Sequence, residues 1–195
     1  GNGAMIVRTI VSLPALVGGY GKKGAGCFTS TSTSGAFAMK EILREDFMVK
    51  ETRIINMNRL GLALNELIDP PIKSLYVYTS NPAAVAPDQN QVLKGLARED
   101  LFTVVHERFM TDTARYADIV LPSTSSLEHS DLYRSYGHYC IQRAKAVIPP
   151  VGESKSNWEV FSLLAQEMGV DDPFFQQKAD DLIDYLLSIP SPLRE

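Results

Sequence analysis

Three short apolar runs separated by helical patterns constrain this chain more than any other feature. Ser74–Tyr78 reads SLYVY, residues 101–105 read LFTVV, and residues 119–121 read IVL before Pro122 closes the run. β-Branched and aromatic side chains crowd all three, as they do in strands. Between the first two runs, Val92, Leu93, Leu96 and Ala97 recur at helical spacing. That predicts a helix over 88–98 with those four turned inward. Between the second and third, residues 111–116 predict a short helix, with Thr111 as N-cap and Asp112 at its positive end. Strand–helix–strand–helix–strand with short links predicts parallel pairing.

The flanks are less regular. Residues 3–17 carry apolar positions at helical spacing, with Pro14 expected to kink the helix or end it early. Residues 18–35 are mostly Gly, Ser, Thr and Lys and read as a long loop. Residues 36–52 read as partly helical, and 58–67 as a helix capped by Asn58 with Leu60, Leu64 and Leu67 on one face. Asp69-Pro70-Pro71 ends it. Beyond Pro122, residues 123–137 read as a polar loop and 139–146 as extended. Helices are expected over 157–168, ended by Gly169, and over 179–187. The expected fold class is α/β: a Rossmann-like three-layer domain with a mainly parallel sheet, plus a helical and loop N-terminal appendage. The expected divisions are 1–71 as connecting segment, 72–170 as a dinucleotide-binding-like domain, and 171–195 as a helical extension.

Composition excludes several functions. The chain has 195 residues, 45% of them hydrophobic, and a net charge of −4. A core can form, and a basic face for nucleic acid is not expected. No apolar run reaches the roughly 18 residues of a membrane span. The start, Gly-Asn-Gly-Ala-Met, shows no signal-peptide pattern. Cys27 and Cys140 form no CxxC and read as free thiols. His106, His129 and His138 lack the spacing of a metal site. Asp131, Glu128 and Glu153 read as solvated acids, and Trp158 as a packing residue. Nothing resembles a nucleophile elbow. No catalytic and no metal residue is assigned.

Gly19-Tyr20-Gly21-Lys22-Lys23-Gly24 matches GxGxxG in letters only. The dinucleotide mechanism needs a strand before it and a helix after it, so that the helix N-terminus meets the pyrophosphate. Here a helical pattern precedes and a Ser/Thr run follows. The informative positions are instead the carboxyl ends of the three strands, where open parallel sheets bind ligands. These are Thr79-Ser80-Asn81-Pro82, His106-Glu107 and Pro122-Ser123-Thr124. Glu107 is placed like an acid that takes ribose hydroxyls.

Residues 103–122 read TVVHERFMTDTARYADIVLP. This resembles the molybdopterin oxidoreductase pattern of a hydrophobic strand, a polar pair and then F-x-T-x-T-A-x-x-A-D-x-x-L-P. Residues 72–82 (IKSLYVYTSNP) resemble that family's strand ending in an Asn-Pro turn. Residues 126–131 with Gly137 resemble its next loop, and 149–158 (PPVGESKSNW) its segment before a helix. Residues 3–26 are similar to its Gly-rich stretch.

In that family, the dimethyl sulfoxide reductase, formate dehydrogenase and nitrate reductase group, two molybdopterin guanine dinucleotides surround one molybdenum or tungsten atom. The resemblance implies that residues from 72 onward hold one guanosine arm. It places Asn81 against the nucleotide, Glu107 beside His106 on the ribose, and Thr113 near the phosphates. Ser80 and Thr111 flank these positions and join the candidate set. His129 stands where some members carry Lys, and Asn157 where some carry an Asp facing guanine. The family's iron–sulfur cysteines and metal ligand lie upstream of the matched region and its closing barrel downstream. The chain therefore reads as an internal segment of a catalytic subunit, inactive alone. Its expected partners are the rest of the same polypeptide and an electron-transfer subunit. No nucleic acid and no direct membrane insertion are expected. Two other classes fit the same residues. One is a cofactor-free structural subunit of the NADH:ubiquinone oxidoreductase type, told apart by an upstream metal ligand. The other is a stand-alone nucleotide-binding module, which would saturate with one nucleotide.

Overall fold

The computed structural model describes residues 2–28, 36–48, 52–134 and 140–191. The Ser/Thr run 29–34, Gly137 and His138 lie outside them. The elements in order are α1 (Gly3–Leu16), α2 (Met39–Leu43), α3 (Leu60–Glu66), β1 (Ser74–Tyr78), α4 (Pro82–Val85), α5 (Gln89–Leu96), β2 (Phe102–Glu107), β3 (Ile119–Pro122), β4 (Asp131–Arg134), β5 (Ile141–Ala144), α6 (Asn157–Glu167) and α7 (Ala179–Ser188). Single 3-10 turns lie at Met57–Arg59 and Ala114–Tyr116, among others.

The three apolar runs form a parallel sheet in the order β1-β2-β3. Its register pairs Val77 with Val105, Tyr78 with His106, and Glu107 with Pro122. Successive side chains in a strand point to opposite faces, so the strands present two different surfaces. Leu75 joins a core of Leu64, Ala83, Val92, Leu96 and Leu101, which brings α3 and α5 onto one face. On the other, Tyr76 and Tyr78 pack against Phe161 of α6, with ring centroids 5.5 and 5.1 Å apart. Helices thus cover both faces, as the three-layer expectation requires. The chain is α/β with a parallel sheet.

Several local expectations change. α1 runs through Pro14, which lacks the N–H for one helical hydrogen bond, and ends two residues later at Leu16. Gly18 and Gly19 then donate back to Ala15 and Pro14 carbonyls, satisfying the helix end. A helix, not a strand, therefore leads into the Gly-rich loop. Asn56, not Asn58, is the cap before α3: its side chain accepts from the Asn58 N–H at 2.9 Å. In α5, Ala97 is exposed and Gly95 is buried instead. A Cβ on Gly95 would stand 2.5 Å from Leu64 Cβ, so glycine is what allows α5 to touch α3.

The segment read as a polar loop contains β4, which pairs antiparallel with β5. Arg143 of this hairpin binds Asp180 at 2.8 Å and also Asp184, tying it to α7. Farther out, Phe47 lies 5.5 Å from both Phe174 and Phe175, and Arg44 sits 3.8 Å over the Phe47 ring. Residues 44–47 are thereby tied to residues 174–175.

Candidate functional site

A cavity of about 470 Å³ opens where the three strand ends meet the N-terminus of α6. Thr79 follows β1, Arg108 follows β2, and Ser123 and Thr124 follow β3. The α6 side supplies Ser156, Asn157 and Trp158. His129, Asp131 and Tyr133 close the wall from the hairpin. This volume falls within the range of small-ligand pockets, roughly 300–1,000 Å³.

Backbone geometry builds the cavity from the strands upward. Thr79 takes a left-handed conformation (φ 51°), which turns the chain away from the sheet. That region disfavours a β-branched residue. The Thr79 hydroxyl pairs with Asn157 Nδ2 at 3.3 Å. Ser156 caps α6: its hydroxyl accepts from the Glu159 N–H, and the Glu159 carboxylate accepts from the Ser156 N–H at 2.8 Å. This reciprocal pair fixes where the helix begins. Residue 155 extends the sheet beside β3, with Lys155 N–H donating to Pro122 O and Thr124 N–H to Lys155 O.

Glu128 lies outside the cavity lining and braces the loop after β3. Only 9% exposed, it accepts from the Ser125 N–H at 2.6 Å and the Val151 N–H at 2.7 Å. The Ser125 hydroxyl and these amides hold its carboxyl below the ordinary value. The expectation of a solvated acid is corrected: Glu128 is a buried clamp between two loops. Tyr133 is pushed up, by burial first and then by Asp131, so its phenol remains a hydrogen-bond donor.

The structure divides the sequence-predicted residues into three groups. His129 and Asn157 line the cavity. His129 Nδ1 lies 2.9 Å from Thr124 Oγ1, and its Nε2 lies 3.8 Å from Asp131. Glu107 sits beside it, its Oε1 accepting from the Arg108 N–H at 2.8 Å. Asn81, Thr111 and Thr113 form a clamp next to the cavity. Asn81 Oδ1 accepts from Thr113 Oγ1 (2.7 Å) and N–H (3.1 Å), while Thr113 Oγ1 accepts from the Ala83 N–H. Thr111 Oγ1 accepts from the Ala114 N–H at 3.2 Å, capping the turn as expected. Ser80 opens instead onto an apolar groove with Ile72, Leu75 and Val85. His106 is fully buried, its Nε2 directed at Lys155 O at 3.1 Å, so the ring presents no surface to a ligand.

Sequence reasoning missed Arg108, Ser126, Asp131 and Tyr133 as cavity residues. Arg108 adjoins a predicted strand end and was within reach of that logic. The hairpin residues were not, because the hairpin was read as a loop. Trp158 keeps its packing role: its Nε1 donates to Gln177 O at 2.9 Å, and its ring meets Phe174 edge-on.

Residues 1–167 match the family model for molybdopterin oxidoreductase. The chain belongs to that family. It is 50% identical over 190 residues to the probable oxidoreductase YoaE of Bacillus subtilis, covering 97% of this chain and 28% of that protein. It is 30% identical to trimethylamine-N-oxide reductase of Haemophilus influenzae, covering 90% of this chain and 20% of the other. Among solved structures, acetylene hydratase from Pelobacter acetylenicus superposes with a TM-score of 0.60 at 26% identity, over 80% of this chain and 22% of the hydratase. The chain thus spans less than a third of these relatives. Family membership implies a molybdenum or tungsten pterin cofactor. The names of a reductase and a hydratase in one architecture show that the shared fold does not dictate one reaction.

Proposed function

We propose that this chain is the nucleotide-cradling part of a larger molybdopterin-dependent oxidoreductase and holds a guanosine arm of a molybdopterin guanine dinucleotide. One observation carries the reading: a polar cavity lies where three parallel strand ends converge on a capped helix N-terminus. Its chemistry suits such a group. Guanine offers N–H donors, and Asp131 and Asn157 offer acceptors in the wall. Arg108, with its side chain 44% exposed, supplies a cation for phosphate, and Glu107 beside it a carboxylate for ribose hydroxyls. His129 and Thr79 complete the rim. Asn81, Thr111 and Thr113 keep the loops after β1 and β2 in register.

The bound group supplies electron or oxygen-atom transfer at its metal; this chain binds and orients it. In this reading the complete enzyme also carries an iron–sulfur cluster outside this segment and meets an electron-transfer partner subunit. The test uses the complete enzyme. Arg108→Ala and Asp131→Ala should each weaken cofactor retention about tenfold, the loss of one charge-assisted hydrogen bond, read as a clear drop in acid-released guanine per polypeptide. Guanine content equal to wild type in both variants would sink the reading.

A further inference from the structure

We propose that His106 is a positioning residue that sets Asn157 against the nucleotide cavity, an inference that rests on the cradle reading above. The ring cannot touch a ligand itself, being fully buried between the sheet and the loop before α6. Its connections run to both sides of the cavity mouth. The His106 carbonyl accepts from the Thr79 N–H at 3.3 Å. Its Nε2 meets Lys155 O at 3.1 Å, two residues before Asn157. A carbonyl oxygen only accepts, so Nε2 carries the proton. Asn157 Nδ2 in turn bonds Thr79 Oγ1. Thr79, His106, Lys155 and Asn157 therefore close a ring of hydrogen bonds and chain around one corner of the cavity.

Two features single out this ring. Thr79 holds a left-handed backbone conformation that β-branched residues rarely adopt, and surrounding contacts must over-determine it. His106 Nδ1 is buried without a hydrogen-bond partner among the described residues. A residue selected for packing alone would carry no such atom, since an apolar side chain would fill the volume without it. What the imidazole adds is one donor at a fixed reach, delivered to Lys155 O. Backbone bonds already tie residue 155 to β3, with the Thr124 N–H also donating to Lys155 O; the imidazole adds the tie from β2, and so helps set the meeting of Asn157 with Thr79. With its amide nitrogen on Thr79, Asn157 keeps Oδ1 as its acceptor. Beside the Asp131 carboxylate, this favours a base edge that donates hydrogen bonds.

The complete enzyme is compared as wild type, His106→Gln, His106→Asn and His106→Leu. Gln can place its amide nitrogen where Nε2 lies, Asn is too short, and Leu fills space with no donor. Two quantities are read: acid-released guanine per polypeptide, and amide hydrogen exchange at residues 157–160. Cofactor retention should weaken about tenfold in the Asn and Leu variants, read as a clear loss of guanine, and return to near wild type in Gln, with exchange following the same order. Should the Leu variant fail to accumulate, the Gln and Asn pair decides the matter. Normal guanine in the Asn variant, or no restoration by Gln, overturns the positioning role. Failure of the cradle reading would appear elsewhere, as undiminished guanine in Arg108→Ala and Asp131→Ala.

Discussion

On one face of the sheet, α3 and α5 approach until Gly61 and Gly95 leave no space: a Cβ on Gly61 would stand 2.8 Å from the Val92 amide nitrogen. Leu64 and Val92 are sealed there completely. On the other face, Phe161 of α6 packs against Tyr76 and Tyr78, while the N-terminus of the helix is capped by Ser156 and Glu159 and held through His106 and, across the adjoining loop, Glu128. The contacts at that N-terminal end are mostly hydrogen bonds between side chain and backbone. The difference has a physical reason. Apolar contact is strong but indifferent to angle, whereas a hydrogen bond is weak on balance and demanding in direction. The first suits a foundation. The second suits a wall whose polar groups must stay aimed.

That contrast can be broken or sharpened by substitution. Leu64→Ala should have the largest effect, a loss of about 3 kcal/mol from a cavity in the closed core. Thermal melting of the protein followed by Trp158 fluorescence should report unfolding of the α6 face in the same transition. A separate, unshifted Trp158 transition would show that the two faces do not cooperate. Ser156→Ala should cost about 1 kcal/mol through loss of the capping box. Its effect should be confined to faster amide exchange in the first turn of α6, and spreading to α5 would contradict the division. The smallest effect concerns Glu128. Its folded carboxyl titrates below the ordinary 4.5, so the stability it adds is complete above that value. It is lost as pH falls through the depressed folded value. Glu128→Gln should therefore flatten the acid limb of melting temperature against pH and leave the neutral region nearly level. An unchanged acid limb would remove Glu128 from the clamp.

The foundation was the legible part. SLYVY, LFTVV and the Val92–Leu96 spacing announce two parallel strands and their crossover helix, because burial on an apolar face leaves a period in the sequence. The register of Ala97 and Gly95 was misread, since periodicity counts any small residue as apolar and does not see the helix pressing from outside. The strand ends followed from parallel topology, and so did the neighbourhood of Glu107; Asn157 entered only through the family resemblance. The roles of His106 and Glu128 did not follow. A polar residue is buried when a distant backbone group meets it, here Lys155 O and Val151 N–H. No local pattern carries that information. The β4–β5 hairpin was hidden for a related reason: DLYR and IQRA are short, and half of each is polar.

α1 has a practical consequence. Met5, Ile6, Ile10 and Leu13 are each more than half exposed, and no residue of the helix is buried. A contiguous apolar strip of this kind seeks cover. A preparation of these 195 residues by themselves would be prone to clumping, and changing those four side chains to polar ones is the first step toward a tractable sample.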